Sequence, residues 1–195
     1  MKHRARILSA CIGAVMLGVS GCASSDGRRM QEPADYQPVT IGTQAPTIDD
    51  GNGWTLTTPW TDSGAIDARY TCDGLSVSPP MVWTEGPEMT RAYGISMMNT
   101  AGDVLWAVAD IPVSTRNLVE GTSPEGATVA VNAVGALGYQ APCPEPGQSD
   151  SFTVVLYAQE FPTELETPAD AEELVRLLED TSLDQEITTF SYQRN

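Results

Sequence analysis

The sequence holds one lysine and one histidine, and both stand at its start, Lys2 and His3. With no imidazole further along, the chain can build no Ser-His-Asp triad, no Cys-His pair and no zinc site with a histidine ligand. Positive charge is scarce throughout: ten Lys and Arg stand against 26 Asp and Glu, for a net charge of −16. Lys2, Arg4 and Arg6 crowd the first six positions, and no acid occurs among the first 21 residues. The chain beyond residue 21 therefore has seven Arg against 26 acids, a net −19. Nucleic-acid binding requires a basic stripe that displaces phosphate counterions, and this surface repels phosphate, so no nucleic-acid partner is expected. Charged residues make up only 18% of the 195 residues, and the 17 Gly and 14 Pro follow no period. Such a composition excludes collagen, a coiled coil and a polytopic membrane protein, and suits one globular domain with an appendage.

The basic start leads into an apolar run from Ile7 to Val19, too short to span a bilayer comfortably, and then Val19-Ser20-Gly21-Cys22. This is the layout of a signal peptide. Its end resembles the bacterial lipobox, Leu/Val-x-Gly/Ala-Cys, whose thiol receives a diacylglyceryl group and becomes the new N-terminus. Residues 1–21 are thus expected to be a lipoprotein signal peptide and Cys22 the acylated, palmitate-bearing anchor, which leaves 174 residues. The expected location is the bacterial cell envelope, on the extracytoplasmic side of a membrane that the acyl chains enter. Residues 22–53 read as a flexible tether, because Pro33, Pro38, Pro46 and Asp49-Asp50-Gly51-Asn52-Gly53 break every short apolar stretch. Its reach would be on the order of 30 Å.

From Trp54 to residue 195 the punctuation is that of a β protein. Strands are expected at Tyr93–Met98, Val104–Ile111, Thr128–Val134, Ser151–Ala158 and Ile187–Tyr192. No repeat of solenoid or propeller length is evident. One helix is expected after Thr167-Pro168-Ala169-Asp170, read as cap, first-turn proline and an acid at the third helical position. Ala171, Leu174, Val175 and Leu178 follow at i, i+3, i+4 and i+7 and would face the sheet. Glu172, Glu173, Arg176, Glu179 and Asp180 would face solvent.

Of the four cysteines, Cys11 leaves with the signal and Cys22 is acylated, so Cys72 and Cys143 remain as a pair in an oxidising compartment. A structural disulfide is expected, closing a loop of about 70 residues and contributing about 3–4 kcal/mol. Two buried free thiols or a redox couple are the alternatives, though the spacing is not that of C-x-x-C.

The segments around these cysteines also carry a family likeness. Tyr70-Thr71-Cys72-Asp73-Gly74 with Ser78-Pro79-Pro80-Met81-Val82-Trp83 resembles the Y-T-C-D-G…S-P-P-L-x-W signature of bacterial phosphatidylethanolamine-binding proteins, the Raf kinase inhibitor-like (YbhB/YbcL) group. Trp106 to Pro112 resembles the family's H-W-V-V-x-N-I-P strand, Gly138 to Pro144 its G-Y-x-G-P-C-P-P loop, Phe152 to Ala158 the strand after it, and Phe190 to Arg194 the last strand. The resemblance implies a β-rich fold: a large antiparallel sheet flanked by a smaller one, a few helices, a C-terminal helix with a closing strand, and a small anion pocket at one end.

At that pocket the chain departs from its relatives. The family's D-P-D-A-P segment is replaced by Asn99-Thr100-Ala101-Gly102-Asp103, one pocket histidine by Leu105, and the other aligns with Asp150. Asp73, Pro80, Trp106, Tyr139 and Pro142 survive and, with Asn99 and Asp150, would line a smaller and more apolar cavity. Each also has a plain structural role open to it: Trp106 as core, Tyr139 capping a turn, Asp73 as the residue before a turn glycine. A carboxylate in place of an imidazole disfavours an anionic ligand. Neither Glu85 with Glu88 nor Glu164 with Glu166 forms a recognisable catalytic pair, no D-x-D-x-D-G calcium string occurs, and no metal or cofactor is expected.

These readings converge on a non-enzymatic, membrane-anchored binding or interaction lipoprotein with a degenerate anion pocket, its partner a small molecule or an envelope protein. A hydrolase using Asp73 or Asp150 as base is the alternative from another class. A protease- or kinase-inhibitor role rests on fold association alone.

Overall fold

The computed structural model describes Thr47–Ile48 and residues 53–195. The signal segment, Cys22 and most of the stretch read as a tether lie outside the described residues. In chain order the elements are β1 (Thr47–Ile48), β2 (Leu56–Thr57), β3 (Gly64–Ala65), a 3-10 turn (Ala68–Tyr70), β4 (Met81–Trp83), β5 (Ala92–Asn99) and β6 (Val104–Pro112). There follow β7 (Asn117–Leu118), β8 (Thr128–Val131), β9 (Ser149–Gln159), β10 (Ala169–Asp170), α1 (Ala171–Thr181) and β11 (Ser182–Gln193).

The long strands form a seven-stranded sheet in the order β10-β8-β6-β5-β9-β11-β3, and the short ones a four-stranded sheet in the order β1-β2-β4-β7. The small sheet is antiparallel. The large one is antiparallel through its middle but mixed at both edges, where β10 runs parallel to β8 and β3 parallel to β11. The large antiparallel sheet implied by the resemblance is thus present, with a short parallel strand at each rim. Both rim strands have two residues, β10 leading into α1 and β3 towards the 3-10 turn. The described residues contain one α-helix where a few helices were expected.

Strands β5, β6 and β9 are apolar on both faces because both faces are covered. On one side Tyr93, Ile95, Met97, Trp106 and Val108 meet the small sheet's Leu56, Met81 and Trp83 in a single buried cluster. Within it Tyr93 lies between Trp54 and Trp83, at 6.0 and 5.6 Å between ring centroids. On the other side Ala107, Ala109 and Tyr157 meet the helix residues Leu174, Val175 and Leu178. Each of these helix side chains contributes about 1.5–3 kcal/mol by leaving water. The helix comes so close that a Cβ at Gly94 would lie 2.4 Å from Leu178 Cδ2, so any larger residue there would have to displace that buried side chain.

The apolar and charged faces of α1 are those expected, but its start is not. Asp170, not Thr167, is the N-cap, accepting from Glu173 N at 2.9 Å. Thr167 spends its hydroxyl on Val129 N at 3.0 Å, and Ala169–Asp170 pair with β8, so the chain is still extended where the first turn was expected. The cis Thr167–Pro168 bond lies in this extended segment. Strand β8 likewise stops at Val131, short of Val134, because buried Asn132 folds the chain back, its Oδ1 accepting from Val134 N and Ala136 N at 3.2 and 3.0 Å. Strand β11 is longer than expected and starts directly off α1. In the stretch read as a tether, Thr47–Ile48 pair with Thr57 and Leu56.

Candidate functional site

Two turns meet at one end of the large sheet. The first is led in by the 3-10 turn, which Asp67 caps by accepting from Arg69 N at 2.8 Å. Thr71 closes it by donating both N and Oγ1 to Ala68 O, at 3.0 and 2.8 Å. The second is Ala141–Pro144. Cys72 N donates to Pro142 O at 3.2 Å, and a disulfide joins Cys72 to Cys143 with Cα atoms 5.4 Å apart. The expected bridge is therefore present.

Behind the bridge, Tyr139 donates its hydroxyl to Tyr70 O at 2.7 Å and packs edge-on against Trp106, centroids 5.5 Å apart. Burial, with a smaller contribution from Tyr70, raises the Tyr139 pKa far above the ordinary phenol value. Its hydroxyl is a fixed neutral donor. Gln140 donates its backbone N to Leu105 O at 2.9 Å, while its Oε1 is buried with no hydrogen-bond partner among the described residues. Leu105 is 3% exposed and belongs to the core.

In front of the bridge, Asp73 is held from both sides. Tyr192 donates its hydroxyl to Oδ2 at 2.6 Å and Arg194 its Nε to Oδ1 at 3.2 Å. Arg194 Nη1 also donates to Pro144 O at 3.3 Å, so the closing strand ties the two turns together. The bond to Asp73 is the main reason the Tyr192 hydroxyl titrates above the usual tyrosine value. Asp150 stands opposite Tyr192 in the β9–β11 ladder, and its Oδ1 accepts from Thr100 Oγ1 at 2.6 Å and Ser151 N at 2.8 Å.

The sequence-derived set thus divides. Asp73, Tyr139, Trp106 and Pro142 gather round the disulfide, and Asp150 adjoins them through Tyr192. Asn99 builds the β5–β6 turn instead, accepting from Ala101 N and Asp103 N at 3.0 and 2.8 Å and donating to Asp103 Oδ2 at 2.8 Å. Pro80 is buried at the start of β4 and takes part in none of these bonds.

Reasoning from sequence missed the cations. Arg194 neutralises Asp73, and Arg69 pairs with Glu120, whose side chain is fully buried; Arg69 Nη2 donates to Glu120 Oε2 at 3.1 Å. In a chain with seven arginines beyond residue 21, two that adjoin or end matched motifs were the available signal. Clefts of about 360 and 250 Å³ lie elsewhere, the first beside Glu85–Tyr93 and the second between Asp103, Asn132 and the start of α1.

A family model described as phosphatidylethanolamine-binding protein matches residues 57–193, from β2 to the end of β11. The chain belongs to the phosphatidylethanolamine-binding protein family. A UPF0098 protein of Methanothermobacter thermautotrophicus is 32% identical over 127 residues, covering 60% of this chain and 83% of that one. The candidate lipoprotein LppC of Mycobacterium tuberculosis is 26% identical over 178 residues, 87% of this chain and 85% of its own. Among solved structures, a family homologue from Chlamydia trachomatis, CT736, superposes with a TM-score of 0.67 at 21% identity, covering 74% of this chain and all (100%) of its own. YbcL of E. coli gives 0.66 at 18%, covering 72% and 98%. These two likenesses establish the phosphatidylethanolamine-binding protein fold.

Proposed function

We propose that this family member is a non-enzymatic binding lipoprotein of the bacterial envelope whose anion site is degenerate. The observation that carries the reading is the occupancy of the site's two carboxylates. Asp73 is engaged by Tyr192 and Arg194, and Asp150 by Thr100 and Ser151, with Leu105 where a donor imidazole would stand. A general base works through a lone pair aimed at its substrate, and here Asp73 is turned to Tyr192 and Arg194 with both oxygens and Asp150 to Thr100 and Ser151 with Oδ1. An anion needs free donors, and here the Arg194 guanidinium is already engaged by Asp73 and Pro144 O and the Tyr192 hydroxyl by Asp73.

The envelope assignment is supported by the lipobox at Val19–Cys22 and by the likeness to LppC over most of both chains. In this reading residues 1–21 are removed, residues 22–53 link the lipid on Cys22 to the domain, and residues 54–195 do the binding. The partner is a small molecule or an envelope protein on the extracytoplasmic side. Mass spectrometry of the membrane fraction is expected to find a diacylglyceryl-modified peptide beginning at Cys22. A Cys22→Ala variant that stays membrane-bound would overturn the anchor.

The site itself is tested by calorimetric titration with phosphate, acetate and phosphoethanolamine. No binding in the micromolar range is expected, and micromolar binding of any of them would refute the degenerate pocket. A screen against esters, peptides and glycans should give no turnover; turnover lost in Asp73→Ala or Asp150→Ala would establish the hydrolase instead.

A further inference from the structure

The turn after β8 is built from Ala133-Val134-Gly135-Ala136-Leu137, five residues without a polar side chain, and all five are exposed. Val134 is 68% exposed, the highest value for any large apolar side chain among the described residues, and Leu137 is 56% exposed. Surface loops ordinarily carry polar residues, so a wholly apolar tip is a feature that needs an account.

The tip is also rigid. Asn132, itself buried, donates its N to Ala136 O at 2.8 Å and its Nδ2 to Gly138 O at 3.0 Å, and accepts from Gly135 N at 2.8 Å. Its Oδ1 takes two further backbone N–H groups of the turn, and Ala133 N is tied to Val104 O at 2.9 Å. A bridge between Val131 and Leu137 closes the base. Two aliphatic side chains are thus displayed on a backbone with little freedom left to lose on binding, the arrangement that makes an apolar anchor effective.

The charge beside the tip selects the occupant. Asn132 and Ala133 form one wall of the 250 Å³ cleft whose other side carries Asp103, Asp170 and Glu172. The next cleft along α1 adds Glu173 and a single Arg176, so the rim stays negative. A second copy of this chain, net −19 beyond residue 21, would set these carboxylates against their own kind, and an anionic bilayer would do the same. A surface with Arg or Lys around an apolar socket satisfies both halves.

We propose that the Ala133–Leu137 tip and the acidic cleft beside it dock a protein partner that offers an apolar socket bordered by Arg or Lys. This inference goes beyond the pocket reading and does not depend on it: anion titration reads the Asp73 site, whereas peptide selection reads the tip.

The test is selection of random dodecapeptides displayed on phage against the purified full-length protein in detergent. Enrichment is expected for peptides that combine an aliphatic or aromatic pair with flanking Arg or Lys. Their synthetic versions should bind at least about tenfold more weakly to Val134→Ser/Leu137→Ser, whose melting temperature should match the wild type because both side chains are exposed. Asp170→Asn/Glu172→Gln, which keeps the helix cap, should weaken binding and flatten its salt dependence. No enrichment, enrichment of peptides without basic residues, or binding unaffected by the serine pair would overturn the proposal. So would sedimentation of the wild type, but not the serine pair, with phosphatidylcholine vesicles, which assigns the tip to a bilayer. Self-association lost in the serine pair would overturn it too, by assigning the tip to a second copy.

Discussion

Tyr192 on the closing strand donates its hydroxyl to Asp73 Oδ2 at 2.6 Å, although 119 positions separate them in sequence. This bond and the one from Arg194 make a turn-forming aspartate the junction of the closing strand with both cysteine turns. Tyr192→Phe removes one of the two and leaves Asp73 to Arg194 alone. The expected loss is about 1–2 kcal/mol in denaturant unfolding, with the slope unchanged. An equal loss in Tyr192→Phe made on an Asp73→Asn background would show that the carboxylate is not the relevant acceptor.

Alkali should probe the buried phenols. Burial pushes Tyr157 up to about 12, above the ordinary 10.0, although its bond with Ser96 at 3.0 Å works the other way. The folded state holds this proton more tightly than the unfolded state, so its contribution is complete below pH 10 and erodes as pH rises through about 12. Tyr192, raised chiefly by Asp73, acts in the same sense. Unfolding free energy measured from about pH 9 to 12 should therefore fall, and fall less steeply in Tyr157→Phe. A flat profile in the wild type would contradict the burial of this hydroxyl.

Reduction should loosen the molecule without changing its topology. The Cys72–Cys143 bridge spans 71 positions, and a loop of that size corresponds to about 4 kcal/mol. The unfolded, unreduced protein should show neither of these thiols to a thiol probe, and reductant should lower the melting temperature clearly. An unchanged transition on reduction would mean that the turns are held by their hydrogen bonds alone.

The Arg69–Glu120 pair should behave as buried ions do. Glu120 is 1% exposed, so Arg69→Met leaves a carboxylate in the interior without that counter-charge and should cost about 3 kcal/mol or more. Pairing it with Glu120→Leu should recover a large part of the loss in chemical denaturation. Strict additivity of the two single changes would argue that the pair is not coupled.

How far the sequence could be read depended on the range of the interactions involved. The faces of α1 and the cores of β5, β6, β9 and β11 were legible because hydrophobic period is local. The disulfide came from sorting four cysteines by compartment. The cap was misplaced because Thr167 and Asp170 both suit the role locally, and the choice is made by Val129, 38 positions away. Arg194 could not be assigned to Asp73 at a separation of 121. Gly94 gave no sign of lying beneath Leu178, since the close approach exists only once the helix has docked. Asn99 was placed in the pocket by alignment to a family segment, whereas its side chain is committed to its own turn.

The end of the closing strand has a kinetic consequence. Arg194 is tied to the neighbouring loop by two backbone bonds, Arg194 N to Gln148 O and Gly147 N to Arg194 O, both 2.9 Å. These are the last rungs of a ladder, and ladder ends open far more often than their middles. When they open, Arg194 leaves Asp73 and Pro144 together, while the disulfide keeps the two turns in place. The ion pair on this carboxylate is thus a latch that lifts on the timescale of strand fraying rather than of unfolding. Amide exchange at Arg194 should accordingly track breaking of the Arg194–Asp73 pair, and neither should track the stability of the core beneath α1.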